Sequence, residues 1–240
     1  MHAGDVIETH LVETEPSDGI LPRPVPFSVV YEDDDILVVD KPADTPIHPS
    51  IGNYENTLAN GIAWYFEQKG EPFVYRCINR LDRDTTGLIV LAKHALSAAV
   101  LSQAMRSREI HRTYQAFALG ETAASGTIDA PIARLDGSLI QRTVDFASGE
   151  RSVTHYRTLA HCSVFSHLEL NLETGRTHQI RVHMAYIGHP LLGDTLYNKT
   201  PGTFPRQALH SASLSFVHPI TGEPLNFHAP LPEDMQNLLT

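Results

Sequence analysis

Cysteine is almost absent from this 240-residue chain, which contains only Cys77 and Cys162. Two cysteines argue against a disulfide framework and are typical of a protein kept in a reducing cytoplasm. No apolar run is long enough to span a membrane. The acidic, polar N-terminus is neither a secretory signal peptide nor an Arg-rich transit peptide. With 42% apolar and 19% charged residues, the sequence predicts a soluble, cytoplasmic, globular protein.

Positive charge is also scarce, since the formal net charge is −10. Binding to RNA phosphates usually needs a basic surface, so this total argues against an RNA partner. The distribution weakens that argument, because residues 1–55 hold 12 of the 28 acidic residues but only two of the 18 basic ones. The rest of the chain is neutral, and residues 76–112 hold seven Lys or Arg against three acidic residues. Charge therefore permits an RNA partner without requiring one, since such a stretch is also typical of an ordinary solvated face.

Hydrophobic periodicity is missing from residues 1–27, which end in a run with proline at every second position. Such a run favours an extended linker. We therefore predict that residues 1–27 are a tail or arm and that residues 28–240 form one folded domain. No internal repeat or Gly-rich phosphate loop is found in the sequence.

The domain that follows contains more strand patterns than helix patterns. A hairpin is predicted from Ser28, with its turn at residues 33–35. Helical spacing of apolar residues predicts helices over residues 56–68, 95–108 and 177–187. Short apolar or alternating runs predict strands over residues 87–92, 113–119, 154–159, 168–172, 214–217 and 225–227. Many strands and few helices, not in strict alternation, predict an α+β fold with a mixed, mainly antiparallel sheet flanked by helices.

Residues 79–87, with the sequence NRLDRDTTG, form the first segment that suggests chemistry. Two carboxylates and two guanidinium groups fall within residues 80–84, just before a predicted buried strand. A salt-bridged turn would account for this charge density in structural terms. A carboxylate beside arginines stays ionised, which suits a nucleophile better than a proton donor. Asp82 is therefore a candidate nucleophile.

Residues 175–183, with the sequence GRTHQIRVH, form the second such segment. Gly175 permits a tight turn, and Thr177 is predicted to cap the following helix. Free backbone N–H groups there, together with Arg176, would form an anion site. His178 and His183 are five residues apart, a spacing that does not place two imidazoles on one helical face. We expect core or RNA-facing histidines and no metal.

Tyr114 lies in the third segment, residues 112–116, early in a predicted strand. A tyrosine in a strand is usually there for sheet packing. If the strand meets the other two segments, the ring could stack on a base and use its hydroxyl as a polar group.

These segments together resemble the RluA-type pseudouridine synthases, and the resemblance covers roughly residues 28–232. It includes EDDDILVVDKPA at 32–43, the RLD core at 80–82 followed by TG at 86–87, and GRTHQIRVH at 175–183. It continues through GHPLLGD at 188–194 and HPITGEP at 218–224. Several long motifs in the same order are far more specific than a single short one.

The resemblance implies a role for individual residues. Asp82 matches the catalytic aspartate, Arg80 is its motif neighbour, and Tyr114 matches the tyrosine that contacts the base. Arg176, rather than Arg181, matches the arginine that pairs with the aspartate. The expected substrate-binding residues are Arg80, Arg83, Arg112, His178 and Arg181.

The resemblance also implies a reaction and a partner. Uracil is detached from ribose, turned and rejoined through carbon 5, so no cofactor or metal is expected. The partner would be a structured rRNA or tRNA whose uridine is flipped out of the stack, and the protein is expected to be a monomer.

This chain departs from the family pattern in three places. The family often has histidine where this chain has Asn79, which would alter RNA contacts. It usually has glycine near position 44, where Asp44 would alter a loop. Longer members carry an N-terminal domain of the ribosomal S4 type, which residues 1–27 are too short and too acidic to form.

Two other functions fit parts of the sequence. The first is a Mg²⁺-dependent phosphatase, in which residues 82–86 would be an Asp-x-Asp-x-Thr motif. That motif normally follows an apolar strand near the N-terminus, and Gly193-Asp194 lacks the second acidic residue expected there. The second is a non-catalytic RNA-binding or ribosome-assembly protein that uses the same pocket.

Overall fold

The computed structural model describes residues 2, 6, 16–162 and 164–239. Their helices are α1 (Leu58–Lys69), α2 (Ala95–Arg106), α3 (Gln179–Tyr186) and α4 (Glu233–Gln236). The strands are β1 (Ser28–Glu32), β2 (Ile36–Lys41), β3 (Thr86–Ala92), β4 (His111–Leu119), β5 (Ser125–Asp129), β6 (Ile132–Arg134), β7 (Arg142–Val144), β8 (Val153–His161), β9 (Phe165–Leu172), β10 (Leu209–Val217) and β11 (Pro224–His228).

One nine-stranded sheet organises the chain, in the order β1-β2-β3-β10-β4-β9-β8-β5, with β11 paired to β10. The strand pairs are antiparallel except β3 with β10, which run parallel. β6 and β7 form a separate two-stranded hairpin. The predicted α+β fold with a mixed, mainly antiparallel sheet is confirmed.

Strands β2 and β3 are buried on both faces, which explains their continuous apolar runs. On one face, Leu37 and Ile89 belong to a core that includes residues of α1 and α3. On the other face, Val38 and Val90 belong to a second core, which includes Leu101 of α2. Helices therefore cover both sides of the strand that follows Asp82.

The predicted strands and the first two helices are confirmed to within a few residues. α1 begins after Thr57, which forms a capping box with Asn60, and α2 ends at Arg106. The prediction that Thr177 caps the third helix is wrong, because α3 begins after His178, which has φ 59°. β5, β6 and β7 were not predicted, since they are short and carry few apolar residues. No helix in the described part of the chain has both the length and the apolar character needed to cross a bilayer.

Residues 16–27 form an arm that lies along α1. The backbone N–H of Ser17 donates to Phe73 O, and that of Arg23 donates to Asn60 O. The rings of Phe27 and Tyr65 meet edge to face, with centroids 5.7 Å apart. The rest of the predicted tail, residues 1–15, lies outside the described residues except for residues 2 and 6.

The parallel pairing of β3 and β10 depends on Gly87. Its φ is 111°, in the left-handed region that disfavours a side chain. A Cβ built there would lie 2.3 Å from the backbone oxygen of Ser211 on β10. β10 therefore approaches β3 closely at the point where β3 leaves the Asp82 turn.

Gly87→Ala is expected to destabilise the fold by at least about 3 kcal/mol, because it adds a backbone clash to the strain of positive φ. Gly70→Ala is the matched control, since Gly70 has φ 70° but nothing within 4 Å of a built Cβ. The control should cost only about 1 kcal/mol. Urea unfolding measures both, and equal losses would show that β10 can move away from β3.

Candidate active site

Asp82 lies in a tight turn just before β3. The backbone N–H of Thr85 donates to Asp82 O at 3.1 Å and closes the turn. Asn79, at the entrance, is buried, and its amide bonds to the backbone of β3 at Leu88 and Val90. Asn79 therefore anchors the turn to the sheet. It also lines a cavity beside Asp82.

Two buried basic side chains donate hydrogen bonds to the backbone carbonyls of this turn. Lys41, the last residue of β2, donates to Arg83 O at 2.7 Å and also to Pro42 O and Thr45 O. Burial lowers the pKa of Lys41 to about 7, against the opposing charges of nearby carboxylates. Arg206 donates to Asp84 O at 3.2 Å. The consecutive carbonyls of Arg83 and Asp84 thus each accept a hydrogen bond from a different buried basic side chain.

The loop beside Lys41 shows how this chain accommodates a departure from the family pattern. Asp44 has φ 52°, the left-handed conformation that glycine adopts most easily. Its carboxylate lies 3.6 Å from Arg83 Nε on the surface. The loop therefore keeps a conformation suited to glycine without having one.

Arg181 joins Asp82 to a second, fully buried carboxylate. Its Nη1 donates to Asp82 Oδ2 at 2.9 Å. Its Nε and Nη2 donate to the two oxygens of Asp194 at 2.7 and 2.8 Å. Burial lowers the pKa of Arg181, but the hydrogen bonds and charges of Asp194 and Asp82 raise it further, so its net pKa lies above the ordinary value. Arg181 is therefore a permanent cation fixed between two carboxylates.

The prediction that Arg176 pairs with Asp82 is wrong. Arg176 forms an ion pair with Glu150 instead, and its Nε donates to Arg151 O at 3.4 Å. It precedes the left-handed residue His178, whereas Arg181 lies inside α3 on the side that faces Asp82. Arg176 still lines the pocket around Asp82, at its edge.

The predicted anion site at the start of α3 is also not supported. The side-chain oxygen of Gln179 accepts the backbone N–H of Arg176 at 3.0 Å. It also accepts the hydroxyl of Thr174 at 2.7 Å. The N–H group of Arg176 is thus bonded within the protein.

His178 contacts Asp82 from the other side. Its Nε2 lies 3.8 Å from Asp82 Oδ1, and its Nδ1 lies 2.8 Å from the hydroxyl of Tyr197. That hydroxyl also accepts the backbone N–H of Arg142 at 2.9 Å. Burial lowers the pKa of His178, while the charge of Asp82 raises it. His183, by contrast, is a core histidine bonded to Thr154 and to Ala130 O.

Tyr114 brings the third predicted segment to the same place. Its strand β4 lies between β10 and β9, and its side chain is buried. A 60 Å³ pocket is lined by Asp82, Tyr114, Arg176, His178 and Arg181, together with apolar residues such as Leu172 and Ile180. Burial raises the pKa of Tyr114, so the phenol is protonated at neutral pH. All three segments singled out in the sequence therefore meet.

This pocket adjoins a cavity of 770 Å³, which shares Arg80, Asp82, His178 and Arg181 as lining residues. Residues 46–50 and 77–84 form much of its wall. A small pocket with an apolar wall that opens into a wide cavity suits a ligand whose base is buried and whose remainder is solvated.

The remaining predicted binding residues surround this site at different depths. Arg80 is exposed and lines both the pocket and the cavity. Arg83 is also exposed and pairs with Asp84 at 3.1 Å. Arg112 is half-buried, and a Cβ built on Gly175 would lie 3.3 Å from its Nη1. The structure thus brings Arg112 against the segment that carries Arg176.

Sequence reasoning missed four residues that build the site: Asp194, Tyr197, Lys41 and Arg206. Asp194 and Lys41 lie inside motifs that were recognised as family-like, which was a usable signal. Tyr197 and Arg206 lie outside those motifs, and only the folded chain shows their contacts.

Among the described residues, one group of side chains has the spacing of metal ligands, and it lies away from this site. Asp33, Asp35 and His218 offer atoms within 4.8 Å of one another. They lie where β1 turns into β2, at the opposite end of β2 from Lys41. His218 donates to Asp33 there, at 3.0 Å, and His94 bonds to Asp35. These groups form an internal network that ties the C-terminal motif to the first hairpin.

Comparison with known proteins places this geometry in a family context. The sequence model of the RNA pseudouridylate synthase family matches residues 35–186. An uncharacterized RNA pseudouridine synthase of Bacillus subtilis (strain 168) is 43% identical over 237 residues, covering 98% of this chain and 83% of that protein. The ribosomal large subunit pseudouridine synthase D of Vibrio cholerae is 43% identical over 248 residues, covering 97% and 75%.

A solved structure shows the same architecture. Human RNA pseudouridylate synthase domain containing 1 superposes with a TM-score of 0.71 at 26% identity. The match covers 90% of this chain and 86% of that one.

The two hydrogen bonds between Arg181 and Asp194 are expected to stabilise the fold as well as to fix the geometry of the site. Asp194→Asn should destabilise the fold by about 3 kcal/mol, because it leaves a buried guanidinium without its main counter-charge. Glu150→Gln, which removes the exposed partner of Arg176, should cost less than about 1 kcal/mol. Urea unfolding at neutral pH compares the two variants. Equal effects would mean that the buried pair adds no more than a surface pair.

Proposed function

The chain belongs to the RNA pseudouridylate synthase family, and from this premise we propose that Asp82 is the catalytic carboxylate of a uridine-isomerising site. The observation that carries the proposal is the asymmetric environment of Asp82. Arg181 Nη1 donates to Asp82 Oδ2 at 2.9 Å. Among the described residues, Asp82 Oδ1 accepts no hydrogen bond, and it lies 3.8 Å from His178 Nε2. One oxygen is therefore fixed and the other is available to substrate.

Asp82 begins the reaction at the ribose of the bound uridine. A carboxylate can attack the anomeric carbon or remove a ribose proton, and both routes detach uracil from the sugar. Arg181 orients the carboxylate through the hydrogen bond from its Nη1 to Asp82 Oδ2. The detached uracil turns and rejoins through carbon 5, and the carbon 5 proton is then lost.

Tyr114 holds the base during this rearrangement. Its buried ring, with Leu172 and Ile180, gives the pocket an apolar wall, against which a uracil ring can stack. Because its phenol is protonated at neutral pH, the hydroxyl acts as a hydrogen-bonding group and not as a phenolate base. Pocket and cavity together suit a flipped nucleotide whose backbone remains outside.

We propose large-subunit ribosomal RNA as the substrate. Relatives named ribosomal large subunit pseudouridine synthase D share 41–43% identity with this chain over at least 95% of its length in Vibrio cholerae and Escherichia coli (strain K12). Arg80 and Arg83 line the cavity, and Arg112 lies against the segment that carries Gly175. All three offer guanidinium groups for phosphates. Such contacts position an RNA without reading its sequence.

The alternative of a non-catalytic RNA-binding protein finds little support in this geometry. A binding pocket has no need for a buried Asp194 that fixes an arginine against a partly exposed Asp82. The phosphatase alternative is also disfavoured, because among the described residues the group with the spacing of metal ligands is Asp33, Asp35 and His218, which does not include Asp82.

Asp82→Asn should abolish tritium release from a large-subunit rRNA transcript carrying 5-tritiated uridine. We expect a loss of roughly 10³-fold or more, with RNA affinity within threefold of the wild type, since the carboxamide fills the same space. A tRNA transcript assayed in parallel tests the substrate class. Turnover by Asp82→Asn at the wild-type rate would exclude Asp82, whereas release from tRNA alone would exclude only the rRNA target.

Arg181→Lys and Arg176→Lys form a matched pair that tests which arginine serves Asp82. A lysine cannot bond to Asp194 through two nitrogens and still reach Asp82. Arg181→Lys should therefore lower the single-turnover rate by about 10²-fold. Arg176→Lys should change it by less than about threefold, since its partner Glu150 is exposed. The reverse order of effects would restore the assignment of Arg176.

A further inference from the structure

His178 has a backbone conformation that residues with a side chain rarely adopt. Its φ is 59° and its ψ is 17°, in the left-handed region directly before α3. Histidine enters this region more often than most residues, but at an energetic cost that the surrounding structure must offset. Strained residues of this kind are concentrated at sites that contact ligands.

Tyr197 holds the imidazole ring of His178. The tyrosine hydroxyl lies 2.8 Å from His178 Nδ1, and the two rings meet edge to face with centroids 5.6 Å apart. The same hydroxyl accepts the backbone N–H of Arg142 at 2.9 Å, and the guanidinium carbon of Arg181 lies 5.1 Å from the centre of the tyrosine ring. Tyr197 is thus fixed by its own neighbours, and it fixes one nitrogen of His178.

The other ring nitrogen of His178 lies near Asp82. Among the described residues, Nε2 takes part in no hydrogen bond, and it lies 3.8 Å from the equally free Oδ1 of Asp82. That distance is too long for a hydrogen bond between the two atoms. Two hydrogen bonds of about 2.8 Å each can span up to about 5.6 Å, so one ligand oxygen can bond to both. A hydroxyl group fits this place, because it can donate to a carboxylate and accept from an imidazole N–H.

The position of His178 indicates which hydroxyl this is. Asp82, His178 and Arg181 line both the small pocket, which suits the base, and the wide cavity, which suits the rest of the RNA. The ribose of the bound uridine must lie at this boundary, because it joins the base to the phosphates. Asp82 acts at the anomeric carbon or on a ribose proton, and the hydroxyl nearest to the anomeric carbon is the 2′-hydroxyl.

We propose that His178 recognises the 2′-hydroxyl of the target uridine, with Tyr197 as the positioning residue that orients its ring. In this arrangement the Tyr197 hydroxyl donates to Nδ1, the Nε2–H group donates to the ribose oxygen, and the ribose hydroxyl donates to Asp82 Oδ1. Burial lowers the pKa of His178 below its ordinary value, so the imidazole is neutral at neutral pH and its Nδ1 can accept that bond.

This contact rests on the proposed function, because it assumes a uridine bound at Asp82. It adds a residue through which the site distinguishes ribose from deoxyribose, since the 2′-hydroxyl is the group that separates RNA from DNA.

Four variants test the contact. His178→Asn keeps an amide near the position of Nδ1 but places no atom at that of Nε2, and asparagine tolerates the left-handed backbone. His178→Gln extends its amide to the position of Nε2. Tyr197→Phe keeps the ring and removes the hydroxyl. His189→Asn is the control, because His189 bonds to Leu119 O and lines neither the pocket nor the cavity.

Each protein is assayed on two stem-loop RNAs that differ by one oxygen atom. Both contain the sequence around a modified uridine of large-subunit rRNA, with 5-tritiated uridine in one and 5-tritiated 2′-deoxyuridine in the other. Single-turnover tritium release over a range of protein concentrations gives the rate at saturation and the half-saturating concentration. Loss of the hydroxyl also changes the reactivity of the glycosidic bond, but it does so equally for every variant, so ratios between variants are compared.

On the uridine RNA, His178→Asn should lower the ratio of rate to half-saturating concentration by at least about tenfold, because a hydrogen bond to the substrate is lost. On the 2′-deoxyuridine RNA it should stay within about twofold of wild type, since the contact is already missing there. Tyr197→Phe should show the same pattern with a loss of about fivefold, whereas a merely structural defect would slow both RNAs equally. His178→Gln and His189→Asn should stay within about threefold of wild type on both RNAs.

Equal losses of His178→Asn on the two RNAs would overturn the proposal, and so would full activity of His178→Asn on the uridine RNA. Wild-type protein that releases no tritium from any RNA would overturn the proposed function instead. Equilibrium binding of both RNAs to Asp82→Asn, with and without His178→Asn, needs no turnover and decides the contact in that case. Removing the 2′-hydroxyl should weaken binding by at least about threefold only when His178 is present, and an equal effect without His178 would exclude the contact.

Discussion

The position of Arg181 between two carboxylates is the constraint on which the site depends. Asp194 is fully buried and takes two of the guanidinium nitrogens, so it fixes the plane of the group. The remaining nitrogen then points at Asp82 from a direction that the core determines. Because Asp194 holds two of its nitrogens, the guanidinium group cannot turn away from Asp82, and it fixes the orientation of that carboxylate in advance.

The turn that carries Asp82 is held with similar rigidity by groups beneath it. Lys41 and Arg206 occupy its inward-facing carbonyls, and Asn79 ties its entrance to β3. Gly87 lets β10 approach the first residues of β3. Because each of these groups is buried, movement of the turn would leave an unsatisfied polar group in the core, which is costly.

Several features of the sequence were sufficient to predict this arrangement in outline. The charge density at residues 80–84 and the pattern at 175–183 identified two of the three segments that line the pocket. Continuous apolar runs identified β2 and β3, because a strand covered on both faces has no polar side. Tyr114 remained ambiguous, since a tyrosine in a strand is usual in any sheet. Its role depends on β4 lying between β10 and β9, next to Asp82 and Arg181.

The sequence by itself determined the family and the fold class and singled out Asp82 as the candidate carboxylate, because residue type, spacing and strand periodicity are local properties. Tertiary structure alone decided which arginine meets Asp82. Arg176 and Arg181 are five residues apart and chemically identical. The left-handed conformation of His178 separates them, leaving Arg176 with the exposed Glu150 and Arg181 inside α3. Arg181 and Asp82 are 99 residues apart in the chain, and only the assembled sheet brings them within hydrogen-bonding distance.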